Sequence, residues 1–291
     1  MKTVLGIFRA KCYSPGMAER DEAILRAVAK RLEETDYKVN LIHEEEFTAA
    51  TPMPDIVLHM TRSPQALQTL QAWQEAGCRV INSVEGVRRV ERAALAEWCA
   101  SQGIPTPRTW IVDTANSHIE DIPTTDGQAA SISFPCWVKR TGDCAQQPDD
   151  VCRVPDAEAY AQCLAQFHTR GIARAVVMEH LEGACIKFYA VRDTDFFYWL
   201  PANKLGYDKF ADAAGIPHSA QTSHVISQPF SLSPPHAPLA VYGGDAIVGT
   251  DGIARLIDLN DWPSFSACRE EAADAIAALV MNIGHTTEPL L

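Results

Sequence analysis

Two aspartates and an asparagine near the end of the chain have the types and the spacing of a metal site. Asp245 lies in one apolar segment, Asp258 and Asn260 end the next, and Thr250-Asp251-Gly252 lies between the two segments. Two apolar segments joined by an Asp-Gly turn predict a β-hairpin. Because side chains alternate along a strand, Asp258 and Asn260 point to the same face. Carboxylate and amide oxygens suit Mg2+, which keeps some water and takes further ligands from nucleotide phosphates.

A lysine at the end of an apolar strand is a second candidate. Lys139 ends the segment Phe134-Pro-Cys-Trp-Val-Lys and precedes Arg140-Thr-Gly, so its ammonium emerges where the strand ends. An ammonium at such a position could bind nucleotide phosphates as a point charge. For the lysine, as for the hairpin, the alternative is an ordinary solvated strand, so other segments must decide.

A third segment, Val176-Val-Met-Glu-His-Leu-Glu-Gly183, runs from an apolar strand into a turn. Backbone groups in such a turn can bind a flat heterocycle, and an acidic side chain nearby can hold a ribose hydroxyl. A plain strand-turn-strand unit is the alternative. On the next strand, Lys187 and Arg192 are an odd number of residues apart, so they point to opposite faces and only one of them is expected to face the site.

The first 85 residues predict the scaffold at the start of the chain. Strands alternate with helices, and the predicted elements are strand 3–8, helix 19–35, strands 38–42 and 55–60, helix 64–76 and strand 79–82. Strands joined by crossover helices form a parallel sheet whose ligands bind beyond the carboxyl ends of the strands. The loop 9–16 therefore becomes a candidate for substrate binding.

The rest of the chain predicts a mixed α+β arrangement, because strands and helices no longer alternate strictly. The predicted elements are a helix 85–102 closed by Gly103, strands 108–112 and 135–140, a helix 156–170, strands 173–179, 185–192 and 195–200, the hairpin, and a last helix 267–283. Residues 113–131 and 201–238 are predicted as loops. We expect three domains, namely 1–85, 86–183 and 184–291.

Composition excludes several classes of protein. The 291 residues are 47% hydrophobic and 21% charged, which is typical of a globular chain, and no apolar segment reaches membrane-spanning length. The first 110 residues carry equal numbers of acidic and basic side chains, so the whole net charge of −12 arises later, and no basic cluster suggests nucleic acid. Nine cysteines without a C-x-x-C pair fit reduced thiols, and the start of the chain is typical of a strand, not of a secretory signal. We expect a cytoplasmic protein with a small-molecule substrate and no nucleic-acid or membrane partner; a homodimer stays open.

Taken in order, four of these segments resemble the ATP-grasp superfamily. The first is a helix closed by Gly-Ile-Pro-Thr-Pro, and the second is Phe-Pro-Cys-Trp-Val-Lys139. The third is Val-Val-Met-Glu-His-Leu-Glu182-Gly, and the fourth is Gly-Gly-Asp245 with Leu-Ile-Asp258-Leu-Asn260. The resemblance covers roughly residues 80–265 and is looser before them. It implies an α/β N-terminal domain that carries the substrate site, followed by two α+β subdomains that enclose a nucleotide.

The resemblance also implies roles for single residues and two cofactors, ATP and Mg2+. It implies that Lys139 binds phosphates, that Glu179 and Leu181 offer backbone groups to adenine, that Glu182 holds the ribose, and that Asp245, Asp258 and Asn260 bind Mg2+. Arg92 stands where these proteins often have a phosphate-binding lysine.

The type of reaction stays open between three hypotheses. In a carboxylate-amine ligase, ATP would form an acyl phosphate, Lys187 and Arg192 would be the candidate catalytic cations, and Arg9, Lys11 and Arg62 would hold the acid unless they are plain surface cations. In a small-molecule kinase, ATP would phosphorylate a hydroxyl of a polyol or an inositol phosphate. Many ligases of the superfamily have Glu-x-Asn, whereas Asp258-x-Asn260 and Lys187-Phe-Tyr-Ala-Val look more like the inositol phosphate kinase branch. The third hypothesis is a non-catalytic nucleotide-binding module.

Overall fold

The computed structural model of the chain describes residues 1–13, 18–142, 147–202 and 238–285. Most of the predicted loop 201–238 and part of the loop 9–16 lie outside these residues. Among the described residues, no helix combines the length and the apolar character needed to cross a membrane.

The first sheet, called the N-terminal sheet, has four parallel strands in the order β2-β1-β3-β4. Its elements are β1 (Lys2–Phe8), α1 (Ala18–Glu33), β2 (Tyr37–His43), β3 (Ile56–His59), α2 (Pro64–Glu75) and β4 (Arg79–Ile81). Helix α1 buries Ile24, Val28 and Leu32, which recur every four residues and therefore lie on one face. Ser63 caps α2 by accepting a hydrogen bond from the amide of Ala66. The predicted alternation of strands and helices is confirmed.

The helix predicted over 85–102 is two helices in the structure, α3 (Val84–Arg89) and α4 (Arg92–Gln102). The break lies at Val90 and Glu91, where neither glycine nor proline marks it in the sequence. The predicted end is confirmed, because Gly103 closes α4 with a φ of 65°, a left-handed conformation that favours glycine.

The second sheet, called the central sheet, is antiparallel and has the order β5-β10-β8-β9. The elements of this region are β5 (Thr109–Asp113), β6 (Ile122–Pro123), β7 (Ala129–Ala130), β8 (Cys136–Arg140), β9 (Val151–Val154), α5 (Ala157–Thr169) and β10 (Arg174–Glu179). Strands β6 and β7 pair separately within the region predicted as a loop. Strand β9 was not predicted, although it places two further side chains in the site described below.

The third sheet, called the C-terminal sheet, is antiparallel and has the order β12-β11-β13-β14. Its strands are β11 (Ala184–Val191), β12 (Phe197–Pro201), β13 (Val241–Val248) and β14 (Ala254–Asp261), and α6 (Arg269–His285) follows them. The predicted hairpin is confirmed as β13 and β14, with an irregularity in the register between Asp245 and Ala246. Helix α6 packs against α1 and so joins the end of the chain to its beginning.

The buried side chains form three main cores, of which two are shared between sheets and one belongs to a single sheet region. Two of them combine the N-terminal and C-terminal sheets, as when Ile7 is buried with Phe188, and Phe8 with Phe265. The third is built only from the region of the central sheet, around residues such as Trp110. The mixed α/β and α+β fold class predicted from the sequence is confirmed, whereas the three domain boundaries stay a prediction.

Candidate functional site

A cavity of about 830 Å3 lies between the central sheet and the C-terminal sheet. It brings together six of the residues predicted to form the site, although they come from different strands and turns. These six are Lys139, Glu179, Leu181, Glu182, Asp245 and Asp258. The other predicted residues do not line this cavity.

Three charged side chains form a row across the C-terminal sheet at one end of the cavity. Lys187 of β11 lies opposite Asp245 of β13, which lies opposite Asp258 of β14. Residues directly opposite each other on antiparallel strands point to the same face, so the row is a consequence of register. The ammonium of Lys187 lies 2.9 and 3.2 Å from the two carboxylate oxygens of Asp245. Asn260, two residues beyond Asp258, continues the same face opposite Gly243.

The pair of Asp245 and Lys187 is partly withdrawn from water, and this changes both pKa values. Burial raises the pKa of Asp245, and the nearby Asp258 adds to this, while Lys187 opposes it. Burial by itself lowers the pKa of Lys187, but its contact with Asp245 outweighs this, so the pKa is raised overall. The row therefore holds opposite charges side by side in a partly buried position. A metal cation could replace Lys187 as the partner of Asp245, and a phosphate could replace Asp245 as the partner of Lys187.

Lys139 reaches across the cavity from the central sheet to the C-terminal sheet. Its Nζ donates a hydrogen bond of 2.7 Å to the carbonyl of Ile257. Burial, together with the nearby Arg92, lowers the pKa of Lys139, while Asp258 and Asp245 oppose the shift. This lysine is thus a buried cation held next to the acidic end of the cavity.

Arg92 lies in a small adjoining pocket that Lys139 and Asp258 also line. Its guanidinium donates to the carbonyl of Arg140 at 3.1 Å. Its Nε is buried and has no hydrogen-bond partner among the described residues. A buried donor without a partner is costly, so this nitrogen fits an anionic ligand entering beside Lys139.

The end of β10 and the turn after it form another wall of the cavity. The amide of Glu179 donates to the carbonyl of Arg108 at 2.9 Å, and its carboxylate accepts from the amide of Arg108 at 2.8 Å. Gly183, with a φ of 150°, lies so close to the carbonyl of Val248 that a Cβ would collide with it. A glycine is therefore required where the chain passes from the central to the C-terminal sheet.

No model of a protein family matches the sequence, and no curated protein matches it. Solved structures match over nearly its whole length. D-alanine–D-alanine ligase from Bacillus anthracis superposes with a TM-score of 0.66 at 12% identity, covering 98% of this chain and 97% of that one. A structure of that ligase complexed with ATP gives 0.65 at 13%, with 97% of each chain covered, and a RimK domain ATP-grasp protein from Sphaerobacter thermophilus DSM 20745 gives 0.64 at 14%, covering 96% and 99%. The chain has the ATP-grasp fold.

In this fold, the cations predicted to hold a substrate lie near the carboxyl edge of the N-terminal sheet. Arg9 follows β1, and its guanidinium lies 3.4 Å from Asp21 and 3.3 Å from the carbonyl of Asp261. Lys11 is exposed. The buried carboxylate of Glu44, which follows β2, accepts hydrogen bonds from the amides of Ala10, Arg62 and Ser63. It therefore ties together the loops that follow β1 and β3.

Arg62 has a different surrounding from the one predicted for a substrate cation. Its guanidinium is buried and binds both carboxylate oxygens of Asp261 at the end of β14. The partner lies far along the sequence, so spacing could not reveal it. This buried ion pair joins the N-terminal sheet to the C-terminal sheet, and the substrate role of Arg62 stays a prediction.

Arg192 is also separated from the residues with which it was grouped. Lys187 lies in the row near the cavity, whereas Arg192 follows the other end of β11, roughly 17 Å further along an extended strand. There its Nε lies 3.2 Å from the carboxylate of Asp193. The structure thus places Lys187 nearer to the cavity than Arg192, and the catalytic role predicted for either cation stays a prediction.

Among the residues that line the cavity but were not selected from the sequence as site residues, three have side chains with nitrogen donors or acceptors. Trp137 and Arg153 lie opposite each other on β8 and β9, and His180 follows β10. The short alternation of Val151-Cys-Arg-Val154 between two prolines was the available signal for β9. The pairing of that strand with β8 has no local signal.

Proposed function

We propose that this chain is an ATP-dependent ligase that joins a small carboxylic acid to an amine through an acyl phosphate. The observation that carries the proposal is the row of Lys187, Asp245 and Asp258 at one end of the cavity, with Lys139 reaching toward it from the opposite sheet. The likeness to D-alanine–D-alanine ligase, including its complex with ATP, supports the same conclusion.

The nucleotide is proposed to lie in the cavity between the two sheets. Glu179 and Leu181 offer backbone groups to adenine, and the exposed carboxylate of Glu182 holds the ribose. Lys139 and the unpartnered Nε of Arg92 bind phosphate oxygens. This orientation directs the terminal phosphate toward the acidic row.

The residues at that end fit Mg2+ by their chemistry. Asp245, Asp258 and Asn260 offer hard oxygen ligands on one face of the sheet. Among the described residues, no group of three or more His, Cys, Asp or Glu side chains could hold a metal ion. Phosphate oxygens and water would complete the ligand set of Mg2+. When bound, Mg2+ neutralises charge on the phosphates.

The proposed reaction has two displacements, both at the acidic end of the cavity. A carboxylate oxygen of the acid displaces ADP from the terminal phosphorus of ATP and becomes an acyl phosphate. The amine then attacks the acyl carbon, inorganic phosphate leaves, and the proton of the amine passes to solvent. Lys187 stabilises negative charge on the transferring group, and Arg9 with Lys11 holds the acid substrate.

A small-molecule kinase is the second candidate, because Asp258-x-Asn260 departs from the Glu-x-Asn of many ligases. A polyphosphate acceptor would require several converging cations. Arg62 is occupied by Asp261, and Arg9 lies beside Asp21. These contacts argue against a polyphosphate acceptor, so a kinase of this fold would be expected to use a polyol.

Turnover of Mg-ATP with a panel of small acids, amino acids, polyols and inositol phosphates tests the proposal. ADP and phosphate released only when an acid and an amine are both present support the ligase. ADP with a phosphorylated hydroxyl product and no free phosphate would support the kinase instead, and nucleotide binding without any turnover would support a non-catalytic module.

Asp258→Asn tests whether the acidic row takes part in turnover. We expect the rate to fall at least about 100-fold, because the metal would lose a charged ligand. The matched control is Asp251→Asn, since Asp251 lies on the turn of the same hairpin and pairs with Arg255 outside the row. Equal activity in the two variants would contradict the assignment of Asp258.

A further inference from the structure

The wall of the cavity contains a tryptophan and a histidine that contact each other. The indole Nε1 of Trp137 donates a hydrogen bond of 3.1 Å to Nδ1 of His180, and the ring centroids lie 6.2 Å apart. Both residues line the cavity, and both are half-buried. The bond joins β8 to the turn after β10, which is the segment that we propose holds the adenine.

This hydrogen bond requires a neutral histidine. The indole nitrogen can only donate, so Nδ1 of His180 must carry its lone pair and the imidazole must be the Nε2–H tautomer. Two charged groups on neighbouring elements act on the ring, Arg153 of β9 and Glu182 of the turn. Burial, helped by Arg153 and opposed by Glu182, lowers the pKa of His180. The ring therefore stays neutral at neutral pH and accepts the bond.

The side chain of Trp137 shares its face of the central sheet with two other residues of the cavity. It lies opposite Met178 of β10 on one side and Arg153 of β9 on the other. The indole is the largest flat side chain among the described residues that line the cavity, and the bond to His180 is one of the contacts that orient it. Aromatic surfaces pack against flat rings, so this position suits the base of a nucleotide.

We propose that His180 is a positioning residue for the nucleotide, since its Nδ1 fixes the indole of Trp137 as one wall of the base pocket. The inference rests on the proposed binding of ATP in this cavity but not on the reaction that follows. His180 itself acts through Trp137 and is not a catalytic residue. Loss of the bond removes one restraint on the indole and weakens binding of the nucleotide.

The test measures Mg-ATP affinity calorimetrically on the full chain without an acceptor. His180→Leu removes the acceptor and is expected to weaken binding about fivefold, which corresponds to the roughly 1 kcal/mol net contribution of a hydrogen bond. Trp137→Phe should weaken binding at least as much, and the double variant should be no weaker than Trp137→Phe alone. His180→Asn places an amide oxygen near the position of Nδ1 and should restore wild-type affinity.

The pH dependence of the affinity for Mg-ATP distinguishes a positioning role of His180 from a merely structural one. The affinity of the wild type should fall relative to His180→Asn as pH drops below 6.5, because protonation removes the acceptor in one protein only. The affinity of His180→Leu for Mg-ATP should change with pH in the same way as that of His180→Asn. Taking the ratio cancels the titration of ATP itself. The control is Trp110→Phe, whose indole donates to the carbonyl of Ala130 away from the cavity and should leave the profile unchanged.

The outcomes distinguish the inference from the proposed function. A wild-type protein that binds no Mg-ATP would overturn both. A wild type that binds Mg-ATP, together with a His180→Leu variant of equal affinity, would overturn only the positioning role. A weakened His180→Leu that His180→Asn does not rescue, with parallel pH profiles for all proteins, would also overturn it.

Discussion

Lys187 and Arg192 are two cations of one short stretch of chain with different surroundings. Lys187 contacts Asp245 beside the cavity, whereas Arg192 contacts Asp193 at the far end of β11. We expect Lys187→Met to lower kcat about 100-fold, since removal of a cation near the transferring phosphoryl group costs this much in comparable sites. Arg192→Met is the matched control and should keep kcat within about threefold. Steady-state kinetics check both, and equal losses would contradict this division.

Lys139 allows a test of phosphate binding by charge removal. Lys139→Met keeps an apolar stem in a buried position but removes the ammonium that donates to Ile257. We expect the affinity for Mg-ATP to fall about tenfold or more, the size of a charge-assisted hydrogen bond. Calorimetric titration measures this, with the exposed Lys30 changed to Met as the control. A variant that binds as tightly as the wild type would remove Lys139 from the phosphate site.

The positions of single residues were predictable from sequence where they depend on local pattern. Asp258 and Asn260 share a face because side chains alternate along a strand. Lys139 ends an apolar segment that is visible in the sequence. The contact of Lys187 with Asp245 depends on the register of β11 against β13, and no local pattern encodes it. Trp137 was not selected from the sequence, because its neighbours Met178 and Arg153 are likewise set by register.

At the scale of elements, a few buried polar side chains add specific contacts to the apolar junction between the N-terminal and C-terminal sheets. Asn82, after β4, accepts from the amides of Ala240 and Val241 and donates to the carbonyl of Val241. Arg62, after β3, forms its buried ion pair with Asp261. Asn82 and Arg62 both follow strands of the parallel N-terminal sheet. They hold the carboxyl edge of that sheet against the start of β13 and the end of β14.

Removal of one partner of the ion pair should destabilise the fold more than replacement of both partners by apolar residues. Arg62→Met leaves the carboxylate of Asp261 buried without its partner, and we expect the free energy of unfolding to fall by about 3–5 kcal/mol. The double variant Arg62→Met with Asp261→Leu should recover most of this loss, because no buried charge remains. Urea denaturation of the three proteins measures it. If the double variant were as unstable as the single one, the loss would come from packing instead of charge.

The elements themselves were largely predictable, but their pairing was not. The alternating strands and helices of the first 85 residues and the hairpin of β13 and β14 follow from periodicity and turn residues. The division of the helix at 85–102 into α3 and α4 and the existence of β9 depend on tertiary contacts. The order β5-β10-β8-β9 places β10 between β5 and β8, which are both distant from it in sequence, and propensity alone cannot indicate this.

At the scale of the whole molecule, one buried histidine should make stability depend on pH. His59 bridges Thr61 and the carbonyl of Asn82, and burial lowers its pKa from 6.5 to about 4, with Arg62 adding to this. The unfolded chain takes up a proton near pH 6.5 while the folded chain does not, so lower pH favours unfolding. The loss begins below pH 6.5 and reaches about 3 kcal/mol near pH 4.

The comparison of His59→Gln with the wild type checks this dependence. The variant is less stable at pH 7.5 because it loses buried contacts, but the difference between the two proteins should shrink as pH falls toward 4. Denaturant unfolding at several pH values measures it. The control is His118→Gln, a change at an exposed position. Its free energy of unfolding should change with pH in the same way as that of the wild type. A constant difference between His59→Gln and the wild type would contradict the role of His59.

The composition of the three cores bears on the order in which the chain folds. The central core uses residues that lie close together in sequence, whereas the N-terminal sheet completes its cores with Trp262, Phe265 and α6 at the other end of the chain. Contacts between distant segments form late, because closing a long loop costs entropy. During synthesis, the central sheet can thus fold on the ribosome while the first sheet still exposes an apolar face. A nascent chain in this state is the form most exposed to aggregation and most dependent on chaperones.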